Sequence, residues 1–328
     1  MNNGILIKID NIKAYYKTQS FETVKNVKAV DGITMDIREN EIIGIAGESG
    51  SGKSTLGRVI YGYIESPLFL IDGKISYFLN NEEVNLSNES YELQKMINLR
   101  WKLISYIPQS SMNVLNPTRK IYKILEDIIE SHNMDKNTYK DKFFGSLESF
   151  GLNPDIVNQY SYQLSGGMRQ RIVIALATIF DPKVIIADEP TSALDVVTQW
   201  NLILLFKKIH RETKNSFVFI THDMSIMANL ADRVAIMYGG KLLEIGMTRD
   251  IFENPQHPYT KFLINSIPQI GDKSEKSAIP GFAPDLVSPP PGCRFLPRCP
   301  YAKKICEEKE PSYIEVEKDH KVSCFLLQ

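Results

Sequence analysis

The sequence predicts an α/β fold with an antiparallel β subdomain, a helical subdomain and a small C-terminal extension. Three observations predict it. Residues 41–46 form a short apolar run that leads into a glycine-rich turn and a helical pattern, as at the start of a βαβ unit. The residues before this run alternate between apolar and polar, as antiparallel strands do. All 4 cysteines lie between Cys293 and Cys324, and 8 of the 17 prolines lie between Pro280 and Pro311.

The segment before the glycine-rich turn favours strands. Ile5, Ile7 and Ile9 alternate with polar residues, and the alternation returns over residues 32–38. A period of two is typical of strands that bury one face. After the turn, residues 54–60 have the spacing of a helix, which completes the strand–loop–helix order.

The middle of the chain is predicted to be mostly helical, from about residue 91 to 179. Apolar residues three and four positions apart recur over 122–129 and 143–150. Prolines break this pattern at three positions, Pro108, Pro117 and Pro154.

The last third of the main unit is predicted to alternate between strands and one helix. The predicted elements are a buried strand over 183–187, a helix over 196–210, a strand over 216–221, and a hairpin of 234–237 with 241–245 joined at Gly239 and Gly240. Residues 271–277 are polar and charged and are predicted to be a linker to the C-terminal tail.

The composition is that of an ordinary globular chain and excludes several classes of protein. Of 328 residues, 43% are hydrophobic and 23% are charged, which excludes a disordered, collagenous or coiled-coil chain. With 38 basic and 39 acidic side chains, nothing indicates binding to nucleic acid. No run of 18 apolar residues is present and the N-terminus has no basic region before an apolar stretch. We therefore expect neither a membrane span nor an ordinary signal peptide.

One segment matches a phosphate-binding loop in full. The residues from Gly47 to Ser54 read GESGSGKS and fit the pattern G-x-x-x-x-G-K-[ST]. Glycines let the backbone N–H groups surround a phosphate chain, and the positive end of the following helix adds to the attraction. Lys53 is expected to reach the β- and γ-phosphates, and Ser54 to ligate Mg²⁺. The residues predicted to bind nucleotide are Gly47, Ser49, Gly50, Ser51, Gly52, Lys53, Ser54 and Thr55.

Polar residues follow two of the predicted buried strands. Asp188 and Glu189 end one of them, where carboxylates can act beside a phosphate loop. Asp188 is the expected Mg²⁺ partner through water, and Glu189 the candidate general base for the attacking water. Alone, the pair is also compatible with a solvated acidic turn. His222 ends the next strand and could contact the γ-phosphate, although these residues alone equally allow a structural histidine.

The motifs together resemble the ATPase subunits of ABC transporters. The deciding segment is LSGGMRQR, from Leu164 to Arg171, which is similar to the ABC signature at the start of a helix. The resemblance implies a P-loop NTPase with a RecA-like core. It also implies that Ser165, Gly166 and Gly167 bind a phosphate of the ATP held by a second ATPase subunit.

The same resemblance implies roles for further residues. Gln109 resembles the Q-loop glutamine, which contacts Mg²⁺ and water and links the site to the membrane subunits. Asp195 ends a segment similar to the D-loop, and His222 resembles the switch histidine. Tyr16 resembles the aromatic residue that stacks on adenine, with Tyr15 as a competitor for that role.

Within this family the chain resembles the oligopeptide and dipeptide importers over essentially its whole length. The segments that carry this resemblance are AVDG at 29–32, DEPTSALDV at 188–196, HPYT at 257–260 and the tail from Pro280. The implied organisation is a nucleotide-binding domain over 1–258 and an importer-type extension over 259–328. One departure follows Gln109, where Ser110 and Ser111 stand in place of the usual Asp-Pro. The transported substrate is therefore less firmly implied than the ATP chemistry.

The four cysteines suggest a local site. Cys293, Cys299, Cys306 and Cys324 are separated by five, six and seventeen residues, and four thiolates are a full ligand set for Zn²⁺ or an iron–sulfur cluster. The spacing contains no C-x-x-C and matches no ferredoxin pattern, so it selects neither metal, and free thiols or disulfides are alternatives. Similar tails in the family imply a 4Fe–4S cluster, with zinc as the alternative.

The implied function is ATP binding and hydrolysis that drive a peptide importer. The implied partners are a second ATPase subunit, identical or paralogous, two transmembrane permease subunits and an extracytoplasmic binding protein, with the chain attached to the cytoplasmic face of the membrane. Oligosaccharide or nickel uptake by the same motor is an alternative. A non-transport ABC ATPase is disfavoured because the chain has one phosphate loop, one signature and no heptad run.

Overall fold

The computed structural model of the chain describes residues 4–20, 23–79, 82–88, 93–109, 114–192, 194–267 and 279–328. Its strands are β1 (Ile5–Ser20), β2 (Thr23–Arg38), β3 (Ile42–Ala46), β4 (Leu68–Leu79), β5 (Glu82–Ser87), β6 (Ile104–Ile107), β7 (Val184–Asp188), β8 (Ser216–Ile220), β9 (Arg233–Tyr238), β10 (Lys241–Met247), β11 (Tyr313–Glu317) and β12 (His320–Ser323). Its α-helices are α1 (Lys53–Ile60), α2 (Leu93–Leu99), α3 (Ile121–Ser131), α4 (Lys136–Ser149), α5 (Gly166–Thr178), α6 (Val196–Thr213), α7 (Met224–Leu230), α8 (Thr248–Glu253), α9 (Pro258–Asn265) and α10 (Ile305–Glu308).

Some sequence-based predictions fall outside the described residues. They concern the N-terminal residues 1–3, the start of the helical subdomain at 91–92, the departure at 110–112, the D-loop residue 193 and the linker at 271–277.

The described residues form two compact units. The first holds the residues up to Lys95 and those from Val218 onward, and the second holds Met96–Phe217. The C-terminal extension thus lies in the same unit as the phosphate loop. The domain bounds suggested by the sequence, including the helical subdomain over about 91–179, stay predictions.

The first unit begins with an antiparallel sheet in the order β2-β1-β4-β5. Ile7 pairs with Ile37 across β1 and β2, and Ile9 pairs with Ile75 across β1 and β4. Of the alternating isoleucines predicted to form a strand, Ile7 and Ile9 are buried and Ile5 is partly buried. The paired strands confirm the antiparallel β subdomain. Nothing in the sequence pattern predicts β4 and β5, because their pairing depends on β1, a segment distant in sequence.

The first unit also contains strands in the order β11-β12-β10-β9-β3-β8, of which β8 contributes its residues from Val218. β3 runs parallel to β9, with Ile45 opposite Ala235, and both strands are buried throughout. Burial on both faces explains why their sequences are continuous apolar runs instead of alternating ones. β9 and β10 form the predicted antiparallel hairpin.

A buried carboxylate ties the C-terminal extension into this sheet. Glu244 on β10 lies opposite Val322 on β12 and is fully buried. Its Oε1 atom lies 2.8 Å from Nε2 of His320 and accepts the N–H of Gln256 at 2.7 Å. Its Oε2 atom accepts the N–H of His257 at 2.9 Å. Burial by itself would raise the pKa of Glu244, but these hydrogen bonds hold that pKa below its usual value. The extension is therefore part of the core of the first unit.

The second unit is mainly helical, as predicted, around a short parallel pair of strands. β6 runs parallel to β7, with Ser105 opposite Ile185. Helix α4 begins with a side-chain cap, since Asp135 accepts the N–H of Thr138 at 2.8 Å. β6 lies within the stretch predicted to be mostly helical, and the sequence pattern does not single it out as a strand. Four residues are too few to show a period, so only the pairing with β7 makes them a strand.

Candidate functional site

The phosphate loop follows β3 and packs closely against the backbone of the first unit. A Cβ atom at Gly47 would lie 2.0 Å from the carbonyl oxygen of Met237, and one at Gly52 would lie 1.9 Å from that of Ala29. No side chain fits in either place, so both glycines of the motif are required by packing. Gly52 precedes α1 and provides no side-chain cap, which leaves the first turn of this helix facing an anion site.

Two polar groups of the loop are buried and suit a phosphate ligand. The Ser51 hydroxyl has no hydrogen-bond partner among the described residues. Lys53 is 5% exposed, and its Nζ donates to the carbonyl oxygens of Gly47 and Glu48 at 2.8 and 2.9 Å. These carbonyl groups hold the ammonium group against the loop, from which it can reach a bound phosphate. The loop therefore fits the predicted nucleotide.

The two candidate adenine-stacking residues differ in their contacts. The Tyr16 hydroxyl lies 3.3 Å from Oγ1 of Thr55, the residue after the GKS segment. The Tyr15 hydroxyl donates instead to Asp31 at 2.6 Å. Burial raises the pKa of Tyr15, and the hydrogen bond to Asp31 raises it further. Of the two rings, that of Tyr16 therefore lies on the side of the phosphate loop.

His222 follows β8 in the first unit. The N–H of Thr221 donates to the carbonyl oxygen of Ile45 at 3.2 Å, so the end of β8 lies beside the end of β3. His222 is exposed at this edge. The phosphate loop leaves the same edge one residue after Ala46, which is where the sequence analysis expects a γ-phosphate contact.

Three predicted residues come together in the second unit. Asp188 at the end of β7 is buried and accepts the hydroxyl of Tyr106 at 2.7 Å. The next residue, Glu189, accepts Nε2 of Gln109 at 2.9 Å. The backbone of Glu189 has a φ of 45°, a left-handed conformation that a side-chain-bearing residue seldom adopts. Sequence reasoning did not predict Tyr106, because no motif marks it.

The signature and the D-loop segment meet at another surface of the second unit. Ser165 caps α5, accepting the N–H of Met168 at 3.3 Å, and Asp195 caps α6, accepting the N–H of Thr198 at 3.0 Å. An open pocket is lined by Ser165, Gly166, Gly167, Met168, Arg171, Leu194, Asp195 and Thr198. The residues implied by the resemblance to bind a partner's ATP thus share one surface with Asp195.

The four cysteines are free thiols in the first unit. Burial raises the pKa of Cys293 to about 11, and the neighbouring Cys306, Cys324 and Cys299 add to that rise. The N–H of Cys293 donates to the carbonyl oxygen of Cys306 at 2.8 Å. The thiols are thus close enough to affect one another. Across the described ranges, however, no group of three or more His, Cys, Asp or Glu side chains is arranged to hold a metal ion.

Sequence reasoning also missed the residues that surround Glu48. The N–H of Glu48 donates to the Tyr259 hydroxyl at 2.9 Å, and the Glu48 carboxylate accepts two hydrogen bonds from Arg298. No sequence pattern predicts this contact, since the three residues are far apart along the chain.

Among the described residues, none of the helices has both the length and the apolar character that crossing a membrane requires.

Two family models match the sequence. Residues 30–192 match the ABC transporter family, and residues 243–306 match the C-terminal region of oligopeptide/dipeptide transporters. The first match includes the phosphate loop, Gln109 and the signature, and the second includes the HPYT segment at 257–260 and the first part of the tail from Pro280.

Curated proteins and solved structures agree with these models. The chain is 41% identical over 329 residues to the dipeptide transport ATP-binding protein DppD of Caldanaerobacter subterraneus subsp. tengcongensis, covering 99% of this chain and 98% of that protein. It is 39% identical over 327 residues to the oligopeptide transport ATP-binding protein OppD of Bacillus subtilis, covering 98% and 89%. The ATP-binding cassette MJ0796, in a dimeric post-hydrolysis state with ADP and Pi, matches with a TM-score of 0.61 at 26% identity, covering 74% of this chain and 99% of that one.

Proposed function

Because the chain belongs to the ABC transporter ATPases and carries the C-terminal region of oligopeptide/dipeptide transporters, we propose that it binds and hydrolyses ATP to drive an importer of oligopeptides or dipeptides. The P-loop NTPase fold and the ATPase activity are those of the family. The observation that carries the proposal is the phosphate loop. Two glycines that packing requires, a buried lysine and a buried serine hydroxyl with no partner among the described residues form a site for phosphate.

Each residue of the site has a proposed role in hydrolysis. Lys53 binds the β- and γ-phosphates and offsets the charge that develops in the transition state. Glu189 accepts a proton from the water that attacks the γ-phosphate, and Gln109 orients that water. Bound Mg²⁺ neutralises phosphate charge, and its proposed ligands are Ser54, Gln109 and, through water, Asp188. Tyr16 is proposed to stack on adenine and His222 to contact the γ-phosphate.

The signature surface is proposed to act on a second subunit. Ser165, Gly166 and Gly167 offer a hydroxyl and helix N-terminal N–H groups to the γ-phosphate of ATP bound by the partner ATPase. Asp195 lies in the same pocket and is proposed to contact the partner beside it. Two such subunits would enclose two ATP molecules, and their closure would move two permease subunits that receive substrate from an extracytoplasmic binding protein. The chain would be held at the cytoplasmic face of the membrane by these permeases.

Reconstitution of the complex tests this function. The chain would be co-expressed with candidate permease, partner ATPase and binding-protein subunits, and the complex placed in proteoliposomes. We expect uptake of a labelled dipeptide or oligopeptide that requires ATP and this chain. Uptake of nickel or an oligosaccharide instead would support ATP-driven import but would contradict a peptide substrate. Co-purification with DNA or ribosomes, without membrane proteins, would contradict a transport function.

A second proposal concerns the cysteines, which we propose bind a 4Fe–4S cluster. Support comes from the donor set: four thiols, none in a disulfide, match the cluster's ligand number, and a backbone hydrogen bond of 2.8 Å joins Cys293 to Cys306. Because no group of three or more ligands among the described residues is arranged to hold a metal ion, cluster binding would require these side chains to rearrange. Zinc would use the same four ligands and is the competing metal.

Anaerobic purification distinguishes the two metals. We expect brown protein with visible charge-transfer absorption and with iron and acid-labile sulfide in equal amounts. A Cys299→Ser variant should lose most of this iron. Colourless wild-type protein that contains zinc would replace the cluster with a zinc site, and wild-type protein without either metal would contradict both.

A further inference from the structure

Glu48 is one of the unspecified positions in the phosphate-loop pattern, yet the first unit holds it more firmly than its neighbours Ser49 and Gly50. Those two residues are exposed. The Glu48 carboxylate accepts Nη1 and Nη2 of Arg298 at 2.8 and 3.0 Å, a bidentate pair. Its N–H group donates to the hydroxyl of Tyr259 at 2.9 Å. The C-terminal extension therefore contacts both the side chain and the backbone of one loop residue.

Arg298 is fixed from several directions. Its side chain is 5% exposed, and the guanidinium group also donates to the carbonyl oxygens of Pro280 and Ile279 at 2.7 and 3.2 Å. Nη1 lies 3.3 Å from the hydroxyl of Tyr238, and the group stands over that ring at 5.6 Å. An arginine with this many partners has little freedom to move. Because arginine presents a planar fork, the pair with Glu48 sets an orientation as well as a distance.

Tyr259 is equally fixed. It is fully buried, with its ring 4.6 Å from that of Tyr238 and 5.4 Å from that of Phe295. Phe295 comes from the extension and is itself fully buried. The hydroxyl that accepts the N–H of Glu48 thus projects from a rigid aromatic cluster formed by Tyr238, Tyr259 and Phe295.

Glu48 in turn organises the interior of the loop. Its carbonyl oxygen accepts Nζ of Lys53 at 2.9 Å and the N–H of Ser51 at 3.2 Å. Arg298 and Tyr259 therefore bind Glu48, and Glu48 in turn binds the phosphate-binding Lys53. Glu48 thus connects the extension to Lys53 through hydrogen bonds.

We propose that Arg298 and Tyr259 are positioning residues for ATP binding, which keep the phosphate loop in its binding conformation through Glu48. The inference rests on the proposed function in that the ligand of the loop is ATP. Without this support, part of the binding free energy of ATP would be used to order the loop. The apparent affinity for ATP would then fall in proportion to the fraction of molecules whose loop is already in the binding conformation. By reciprocity, bound ATP should stabilise the contact of the extension with the loop.

A double-mutant cycle on the full-length chain tests the ion pair. The variants are Arg298→Gln, Glu48→Gln and the double variant. Arg249→Gln is the matched control, because Arg249 pairs with Glu253 on α8, in the same unit as Arg298. We expect Arg298→Gln to weaken MgATP binding about tenfold, within the usual range of coupling between sites, and to raise KM with little change in kcat. In the Glu48→Gln background the same change should have less than about a twofold effect. The control should bind ATP as the wild type does.

Tyr259→Phe separates positioning from charge. Arg298→Gln leaves a carboxylate unpaired near phosphate, and repulsion alone would weaken binding. Tyr259→Phe removes one neutral acceptor and changes no charge, so a weaker affinity for ATP in this variant supports positioning. Arg298→Lys, which keeps the charge and loses the fork, should give an intermediate affinity. Melting temperatures identify folded variants, and Arg298→Lys and Tyr259→Phe provide milder changes if Arg298→Gln does not fold.

The outcomes are distinct. Wild-type protein that fails to bind ATP would contradict the proposed function itself. Wild-type protein that binds ATP, together with folded Arg298→Gln and Tyr259→Phe variants of unchanged affinity, would overturn only the positioning role. An equal effect of Arg298→Gln with and without Glu48 would also overturn it, because the effect would then not pass through Glu48.

Discussion

Replacement of Glu189 by glutamine is expected to leave ATP binding intact and to slow hydrolysis about 10²- to 10⁴-fold, the usual contribution of a general base. Glutamine has the shape of glutamate and an oxygen that can still accept Nε2 of Gln109, which lies 2.9 Å from the Glu189 carboxylate. It cannot take a proton from water. The left-handed backbone at position 189 is common to both variants, so the loss is one of chemistry and not of folding. ATP-bound dimer should accumulate because the step that separates the subunits is blocked.

The measurements are steady-state phosphate release, equilibrium ATP binding and size-exclusion chromatography with MgATP. Glu148→Gln is the matched control, since it makes the same chemical change at an exposed residue of α4 in the same unit. It should hydrolyse ATP at the wild-type rate. Unchanged turnover in Glu189→Gln would remove Glu189 from the role of general base.

Acidification is expected to destabilise the first unit through His257. Burial lowers the pKa of His257 to about 4, from an ordinary value of 6.5. Between these values the unfolded chain binds a proton at this residue and the folded chain does not, so stability falls as the pH is lowered. Its contribution is complete above pH 6.5 and decreases by about 3 kcal/mol in total by pH 4. Urea denaturation at a series of pH values measures this slope.

His257→Asn tests the assignment. His257 caps α9, where its Nδ1 accepts the N–H of Tyr259 at 3.0 Å, and asparagine is a good cap that does not titrate in this range. We expect the variant to lose less stability between pH 6.5 and 4 than the wild type does. The assignment would be wrong if the variant kept the wild-type slope.

Local patterns predict the parts of the fold whose burial is uniform or regular. β3 and β7 are short apolar runs buried along their whole length, and the β9–β10 hairpin has glycines at its turn. β4, β6 and β12 carry no such pattern. Each is a strand because of a partner distant in the chain, such as β10 for β12. Strand pairing of this kind depends on side-chain packing across the sheet and not on local propensity.

In the candidate site, too, local patterns predict some residues, and others are identified only by contacts between distant parts of the chain. The phosphate loop, the DE pair after β7 and the signature are contiguous, because a phosphate must be surrounded by successive N–H groups and a strand end must present its carboxylates together. The sequence pattern therefore identifies their residues. The resemblance names Tyr16 with the adjacent Tyr15 as a competitor, and the structure adds the partner of each hydroxyl, Thr55 for Tyr16 and Asp31 for Tyr15.

By itself, the sequence determined the chemistry of this protein: a nucleotide-binding core, its phosphate loop and carboxylates, and a distinct tail with four thiols. Only the tertiary structure decided that the tail belongs to the same unit as the loop and that Arg298 and Tyr259 hold Glu48. The physical reason is distance along the chain. Groups that bind one ligand through successive backbone atoms leave a motif, whereas an ion pair across 250 residues leaves none until the chain folds.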